Sequence, residues 1–87
     1  MYHCYIIQSL LNGKFYIGST DNPRERLEYH NKGLVKSTKP YIPWKIVHYE
    51  YFKTRAETIK REKQIKGWKK RLMIIKLISK NKIVNLR

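Results

Sequence analysis

The chain has 87 residues and carries 20 Lys+Arg against 6 Asp+Glu, a net charge of +14. That length allows one small domain, residues 1–87, with one modest core; that charge selects polyanionic partners, nucleic acid before an anionic membrane surface or an acidic protein. A hydrophobic content of 41% is enough for the chain to fold, which excludes a disordered basic tail.

Cys4 to Leu11 is apolar and partly β-branched, as a strand is, and Phe15 to Ser19 reads as a second strand. Cys4 is the only cysteine, which excludes an internal disulfide and leaves no Cys/His cluster for zinc. Between the strands stands Asn12-Gly13, which favours a two-residue turn because both central positions need positive φ. That turn sets Tyr5 opposite Thr20 and Ile7 opposite Gly18, whereas a looser four-residue loop sets Tyr5 opposite Gly18. Either register puts Tyr5, Tyr16 and Gly18 on one face, since side chains alternate with period 2. A glycine within a strand marks the close approach of a ligand or backbone, or else a bulge beside an aromatic pair that fills a core.

Asn22 is a good helix N-cap, Pro23 suits the first helical position and Glu25 completes a capping box; Gly33 is the stop. Arg26 and His30, four apart, share a face with Leu27, so Arg26 leans toward the sheet. Lys36 to Pro43 reads as an irregular loop whose Lys36, Ser37, Thr38 and Lys39 either meet phosphates or are solvated. Trp44 to Phe52 is a third strand, and its Trp44 and Tyr49 are expected in the core.

Thr54 caps a helix running to Lys66, with Glu57 three residues on. Its apolar residues are Ala56, Ile59 and Ile65, and at roughly 100° per residue Glu62 falls between the last two. A carboxylate there needs a cation or hydrogen bonds. It is a salt bridge to a neighbouring helix, or a metal ligand or acid-base group. Gly67-Trp68 breaks the pattern. A last helix, about Lys69 to Ser79, is expected to close the core through Leu72, Ile75 and Ile78, widened by Ile74 and Leu77. The lysines and arginines from Lys53 to Lys76 form a basic surface suited to a phosphate backbone. No apolar run approaches the ~18 residues of a membrane span, and no signal peptide is evident, so a cytoplasmic location is expected.

His3-Cys4-Tyr5, Tyr16-Ile17-Gly18, Arg26, His30-Asn31, Pro43-Trp44-Lys45 and Arg61-Glu62 occur in this order. On these residues the chain resembles the GIY-YIG nucleases, in particular small members related to the nuclease domain of the bacterial excision-repair enzyme. His3 and Cys4 replace the Gly and Ile of the name motif, and Ser19 stands where excision-repair relatives carry Lys. The resemblance implies an α+β fold, a three-stranded antiparallel sheet flanked by helices. It implies that Tyr5 and Tyr16 are the paired active-site tyrosines, that Gly18 lets substrate approach, and that Arg26 holds the scissile phosphate. His30 would support the tyrosines, Asn81 or Asn85 would supply a late asparagine, and Glu62 would be the single protein ligand for Mg²⁺ or Mn²⁺.

The chemistry suits such a set. One carboxylate suffices for a hard cation that keeps its waters, and a guanidinium fork fits phosphate oxygens. A tyrosine base needs its pKa lowered from ~10 by nearby cations. The assignment favoured from sequence is Tyr5 as base and Tyr16 as the group that orients the water, with Lys36, Lys39, Lys63 and Lys66 binding substrate. The expected function is DNA hydrolysis by a monomer, with a partner protein supplying specificity. A non-catalytic nucleic-acid-binding module and an RNA-associated basic protein are the alternatives. The enzymatic reading requires the two phenols, the guanidinium and the carboxylate to share a pocket; an acid beyond the sheet leaves only a charged binder.

Overall fold

In the computed structural model, which describes residues 1–85 and side chains through Lys80, the first hairpin closes through the looser of the two loops. Strands β1 (Tyr2–Ser9) and β2 (Phe15–Thr20) pair antiparallel with Tyr5 opposite Gly18 and Ile7 opposite Tyr16. The two-residue turn favoured by Asn12-Gly13 is not made, because only Gly13 takes positive φ, at 79°. Ser9 supplies the reason. Its hydroxyl accepts from the backbone N–H groups of Leu11 and Asn12 at 3.1 and 3.2 Å and donates to the carbonyl of Tyr41 at 2.7 Å. The loop's donors are satisfied by a buried side chain, so the tighter turn has nothing further to gain.

The remaining elements are helix α1 (Pro23–Asn31), a 3₁₀ turn (Lys39–Tyr41), strand β3 (Trp44–Phe52), helix α2 (Arg55–Lys66) and helix α3 (Arg71–Asn85). The sheet order is β2-β1-β3 and all pairings are antiparallel, the α+β architecture expected. Local signals account for the helix ends. The Asn22 side chain accepts from the N–H of Glu25 at 3.2 Å, and that of Thr54 accepts from Glu57 at 3.2 Å. Gly33, at φ 76°, ends α1 with the paired bonds Gly33 N to His30 O and Leu34 N to Tyr29 O, a Schellman stop. Among the described residues, no helix is long and apolar enough to cross a membrane.

The sheet carries a core on each face. Cys4, Ile6 and Ile17 pack against Ile65 of α2 and Ile74 and Ile78 of α3. Tyr5, Ile7 and Trp44 form the other cluster with Tyr16, Leu27 of α1 and Ile46. The last helix turns differently from the expected stripe: Leu72 is 58% exposed and Ile75 39%, while Ile74, Leu77 and Ile78 face the sheet. Asn31 ties α1 to β3 by accepting from Trp44 N at 2.7 Å and donating to its carbonyl at 3.0 Å. Trp44 is core, as expected, but Tyr49 is exposed. Asn81 and Asn85 lie outside the described side chains.

Candidate active site

Tyr5 lies under its partner strand rather than beside it. A Cβ built on Gly18 would stand 2.6 Å from the Tyr5 hydroxyl oxygen and 2.7 Å from Cζ. The missing side chain at Gly18 is therefore room for Tyr5 itself, not clearance for substrate. The phenol so placed meets His30 Nε2 at 2.9 Å, and His30 Nδ1 meets Thr38 Oγ1 at 2.7 Å. Both side chains are fully buried or nearly so, Tyr5 at 2% exposure and His30 at 0%.

The direction of this chain of bonds follows from its far end. The Val35 carbonyl can only accept, so the Thr38 hydroxyl donates to it, at 3.3 Å. The Thr38 oxygen then accepts from Nδ1–H of His30. Burial, helped by the charge of Arg26, pushes His30 down to about 4, so the imidazole is neutral at pH 7 and Nε2 is left as acceptor for the Tyr5 O–H. Burial also pushes Tyr5 up to about 12, against the pull of the adjacent Arg26 guanidinium, which lies near it without a well-formed hydrogen bond. The proton thus stays on the phenol oxygen at rest, the opposite of the lowering by nearby cations that the base role expected for Tyr5 requires. Tyr16 is the other phenol on this face. Its ring stands 5.0 Å from that of His30 and 6.5 Å from that of Tyr5. It is half-buried, and its hydroxyl has no protein hydrogen bond among the described residues.

Arg26 stands one helical turn before His30, half-buried, with no carboxylate in ion-pair range among the described residues. It lines a cavity of about 230 Å³ together with Ser19 and Thr20 of β2, Glu25 and Tyr29 of α1, and Arg55 and Thr58 of α2. Because β2 is an outer strand, elements from both faces of the sheet meet around its edge at this cavity.

Glu62 approaches from the face opposite the tyrosines, because α2 packs over Cys4 and Ile6. Its inward stripe is Thr58, Arg61, Glu62 and Ile65, not the expected Ala56, Ile59 and Ile65: Ala56 is exposed and Ile59 37% exposed. Thr58 can be buried because its hydroxyl donates to the carbonyl of Thr54 at 3.1 Å. Glu62 itself is 19% exposed and accepts from Lys66 of its own helix at 2.6 Å, not from a neighbouring helix. It does not line the Arg26 cavity, although Thr58, one turn away, does, and neither Tyr5 nor Tyr16 lines it. The single shared pocket expected from the sequence is therefore not formed: α2 packs on the other face of the sheet, and the two faces meet around the edge of β2. Its negative charge still reaches Tyr5, where it adds to the raising of the phenol.

The four lysines expected to bind substrate divide. Lys66 is engaged by Glu62; Lys36, Lys39 and Lys63 are exposed, and none of the four lines the cavity. Thr38, expected to meet phosphate or solvent, is buried as the end of the His30 relay and also accepts from Trp44 Nε1 at 2.9 Å through its carbonyl. A second group escaped sequence reasoning: Glu50 on β3 receives both Arg61, at 2.9 and 3.1 Å, and His48, at 2.7 Å. The hydrogen bond from His48, with help from Arg61, holds Glu50 at about 2. The two-residue spacing of His48 and Glu50 puts both on one face of β3, a signal present in the sequence but without its partner on α2.

These groups separate in pH. His30 ionises at 6.5 when unfolded and about 4 when folded, so its contribution to stability is complete above 6.5 and is lost as pH falls toward 4. The loss should reach about 3 kcal/mol, followed below 4.5 by that of Glu50. Thermal unfolding between pH 7 and 4 checks this: a His30→Gln variant should lose less stability over that window than the parent.

A family model described as the GIY-YIG catalytic domain matches residues 1–76. UPF0213 proteins of Staphylococcus aureus strains Mu3 and N315 are each 35% identical over 77 residues, covering 85% of this chain and 94% of the relative. The solution NMR structure of a UPF0213 protein from Bacillus halodurans superposes with a TM-score of 0.57 at 26% identity, over 91% of this chain and 84% of that one. The buried phenol–imidazole pair, the unpartnered arginine and the matched residues converge: the chain belongs to the GIY-YIG family, typically nucleases that use a divalent metal.

Proposed function

We propose that this protein is a divalent-metal-dependent endonuclease that hydrolyses DNA phosphodiester bonds. The observation that carries the reading is Arg26, a half-buried guanidinium without an acidic partner among the described residues, beside the Tyr5–His30 pair and open to a cavity. Leaving a cation half-buried and unpaired costs stability, and a phosphate would relieve it through two parallel N–H bonds. The net charge of +14 brings DNA to that site.

The donor at Glu62 fits Mg²⁺ or Mn²⁺: a carboxylate is a hard ligand, and Mg²⁺ accepts a single protein carboxylate while keeping its waters. Bound there, the metal supplies neutralisation of charge at the leaving oxygen. The protein does the rest. Arg26 holds the phosphoryl oxygens, and Gly18 keeps Tyr5 in place. Tyr5 stays protonated and donates to His30, which fixes the ring edge against which Tyr16 packs. Tyr16, half-buried and with no protein hydrogen bond to its hydroxyl among the described residues, takes the role of orienting the water. It accepts the water's proton only after its own phenol proton has passed to solvent.

Nicking of supercoiled plasmid in Mg²⁺ or Mn²⁺ tests the reading. Product should form with metal and cease with chelator, and Arg26→Ala should slow it by about 10²–10³-fold without loss of fold. Tyr16→Phe should cost more than Tyr5→Phe; the reverse order would return the base role to Tyr5. One observation favours a second reading, a binding module that does not cut. Glu62 comes from the opposite face of the sheet, is ion-paired within its own helix and stands outside the Arg26 cavity, the placement expected from sequence to leave only a charged binder. The nuclease reading requires a metal at Glu62 and a phosphate at Arg26 to meet around the edge of β2. Binding without product across metals and structured substrates would establish it.

A further inference from the structure

The outer strand β3 exposes two tyrosines that the active site does not use. Tyr49 and Tyr51, two residues apart, share the face on which Tyr5 and α1 lie, and they are 57% and 56% exposed. His3 of β1 stands between them, its ring 6.0 Å from Tyr49 and 5.9 Å from Tyr51. The three rings hold one another, so the tyrosine faces are arranged in advance of any ligand. Beside them lies a cavity of about 250 Å³, lined by His3, Ile46 and Tyr49 and by Asn22, Pro23 and Arg24 at the start of α1. Arg24 is exposed and has no ion-pair partner among the described residues.

We propose that Tyr49 and Tyr51, with His3 and Arg24, form a stacking platform for an unpaired nucleobase of the bound DNA strand. A folded domain gains nothing by exposing two ring faces on an outer strand. Flat apolar faces beside a free guanidinium, on a molecule of net charge +14, match a ligand that is both planar and anionic, which a nucleotide is and an acidic peptide is not. Placement supports the same partner. Arg24 and Arg26 flank the first turn of α1, one facing the platform and the other the candidate phosphate cavity. A strand crossing that turn sets a phosphate against Arg26 and a neighbouring base on the tyrosines. A base in a duplex has both faces covered by its neighbours, so the platform discriminates for single-stranded or frayed DNA. The proposal rests on the nucleic-acid reading above but not on cleavage.

Fluorescence anisotropy measures it without catalysis, using Glu62→Ala protein and labelled oligothymidylate against a duplex of equal length. A Tyr49→Ala/Tyr51→Ala variant should bind the single strand at least about tenfold more weakly. Duplex affinity should change little, and Tyr49→Phe/Tyr51→Phe should retain most of the single-strand affinity. Equal losses on both ligands, no loss on either, or no single-strand binding by the parent overturns the platform. A change in sedimentation rather than in binding overturns it too, by assigning the face to a second copy of the chain. Plasmid nicking reports separately on the nuclease reading, so either can fail alone.

Discussion

A Glu62→Ala variant is expected to lose metal-stimulated DNA cleavage by at least about 10³-fold while unfolding at nearly the parental temperature. The first half follows from the count of donors. No group of three or more metal-ligating side chains exists among the described residues, so a metal at Glu62 has one protein carboxylate. The carboxylates that line the Arg26 cavity, Asp21 and Glu25, are the controls whose alanine variants should retain metal stimulation. The second half follows from what Glu62 now touches. Its contact is Lys66 at 2.6 Å, an i,i+4 pair whose lysine is half exposed, and such pairs contribute only about 0.3–0.5 kcal/mol. Activity and stability should therefore separate, which is unusual for an inward-facing residue. The same pair predicts a companion effect: Lys66→Ala frees the carboxylate, and half-maximal activation should need less Mg²⁺. Parallel nicking and thermal-unfolding measurements decide the matter. Unchanged cleavage, or cleavage lost only in proportion to unfolding, removes Glu62 from the chemistry.

The second large effect belongs to Gly18. In Gly18→Ala the new methyl would lie 2.6, 2.7 and 2.9 Å from Oη, Cζ and Cε1 of Tyr5. A flexible surface side chain would swing away from such a contact, but Tyr5 is 2% exposed and its ring is walled in by Ile7, Trp44 and Leu27. The ring must shift, and the 2.9 Å bond to His30 goes with it, leaving Nε2 of a fully buried imidazole without a partner. Overpacking and the lost bond together should cost about 2–5 kcal/mol. For a domain of this size that lowers the unfolding temperature by about 10 °C or more. Coupling provides the control. Gly18→Ala combined with Tyr5→Ala should cost clearly less than the sum of the two single variants, since the clash needs both side chains. A Gly18→Ala protein with parental stability and parental cleavage would show that the ring has somewhere else to go.

Gly18 also illustrates how far the sequence reaches. Glycine in a strand announces a close approach, and the alternation of the hairpin puts Tyr5 and Tyr16 on its face; both are local facts and both hold. What comes close is not local. A ligand and a neighbouring phenol leave the same mark on the sequence, and only the pairing of Tyr5 with Gly18 distinguishes them. The register itself turned on Ser9, a residue with no turn signal, whose hydroxyl satisfies the loop and reaches Tyr41, 32 residues away.

The main strands and helices could be read from residue order alone, and so could the ends that caps such as Asn22, Thr54 and Gly33 set within a few residues of themselves. Other ends differ: α3 runs from Arg71 to Asn85 rather than over the expected Lys69 to Ser79, and β1 from Tyr2 to Ser9 rather than over Cys4 to Leu11. Helical spacing likewise brought Arg26, His30 and Glu62 to inward positions. Which residues complete them depends on contacts between distant segments. Thr38 reads as a surface hydroxyl until His30 and Val35 take both its bonds, and Arg61 reads as one more cation of a basic helix until Glu50 arrives from β3. α2 shows the physical reason most plainly. Its stripe of Thr58, Arg61, Glu62 and Ile65 is mostly polar, so hydropathy cannot mark it, and the polar members turn inward because hydrogen-bond and charge partners make their burial tolerable, Thr54 and Lys66 close by in the chain and Glu50 on β3.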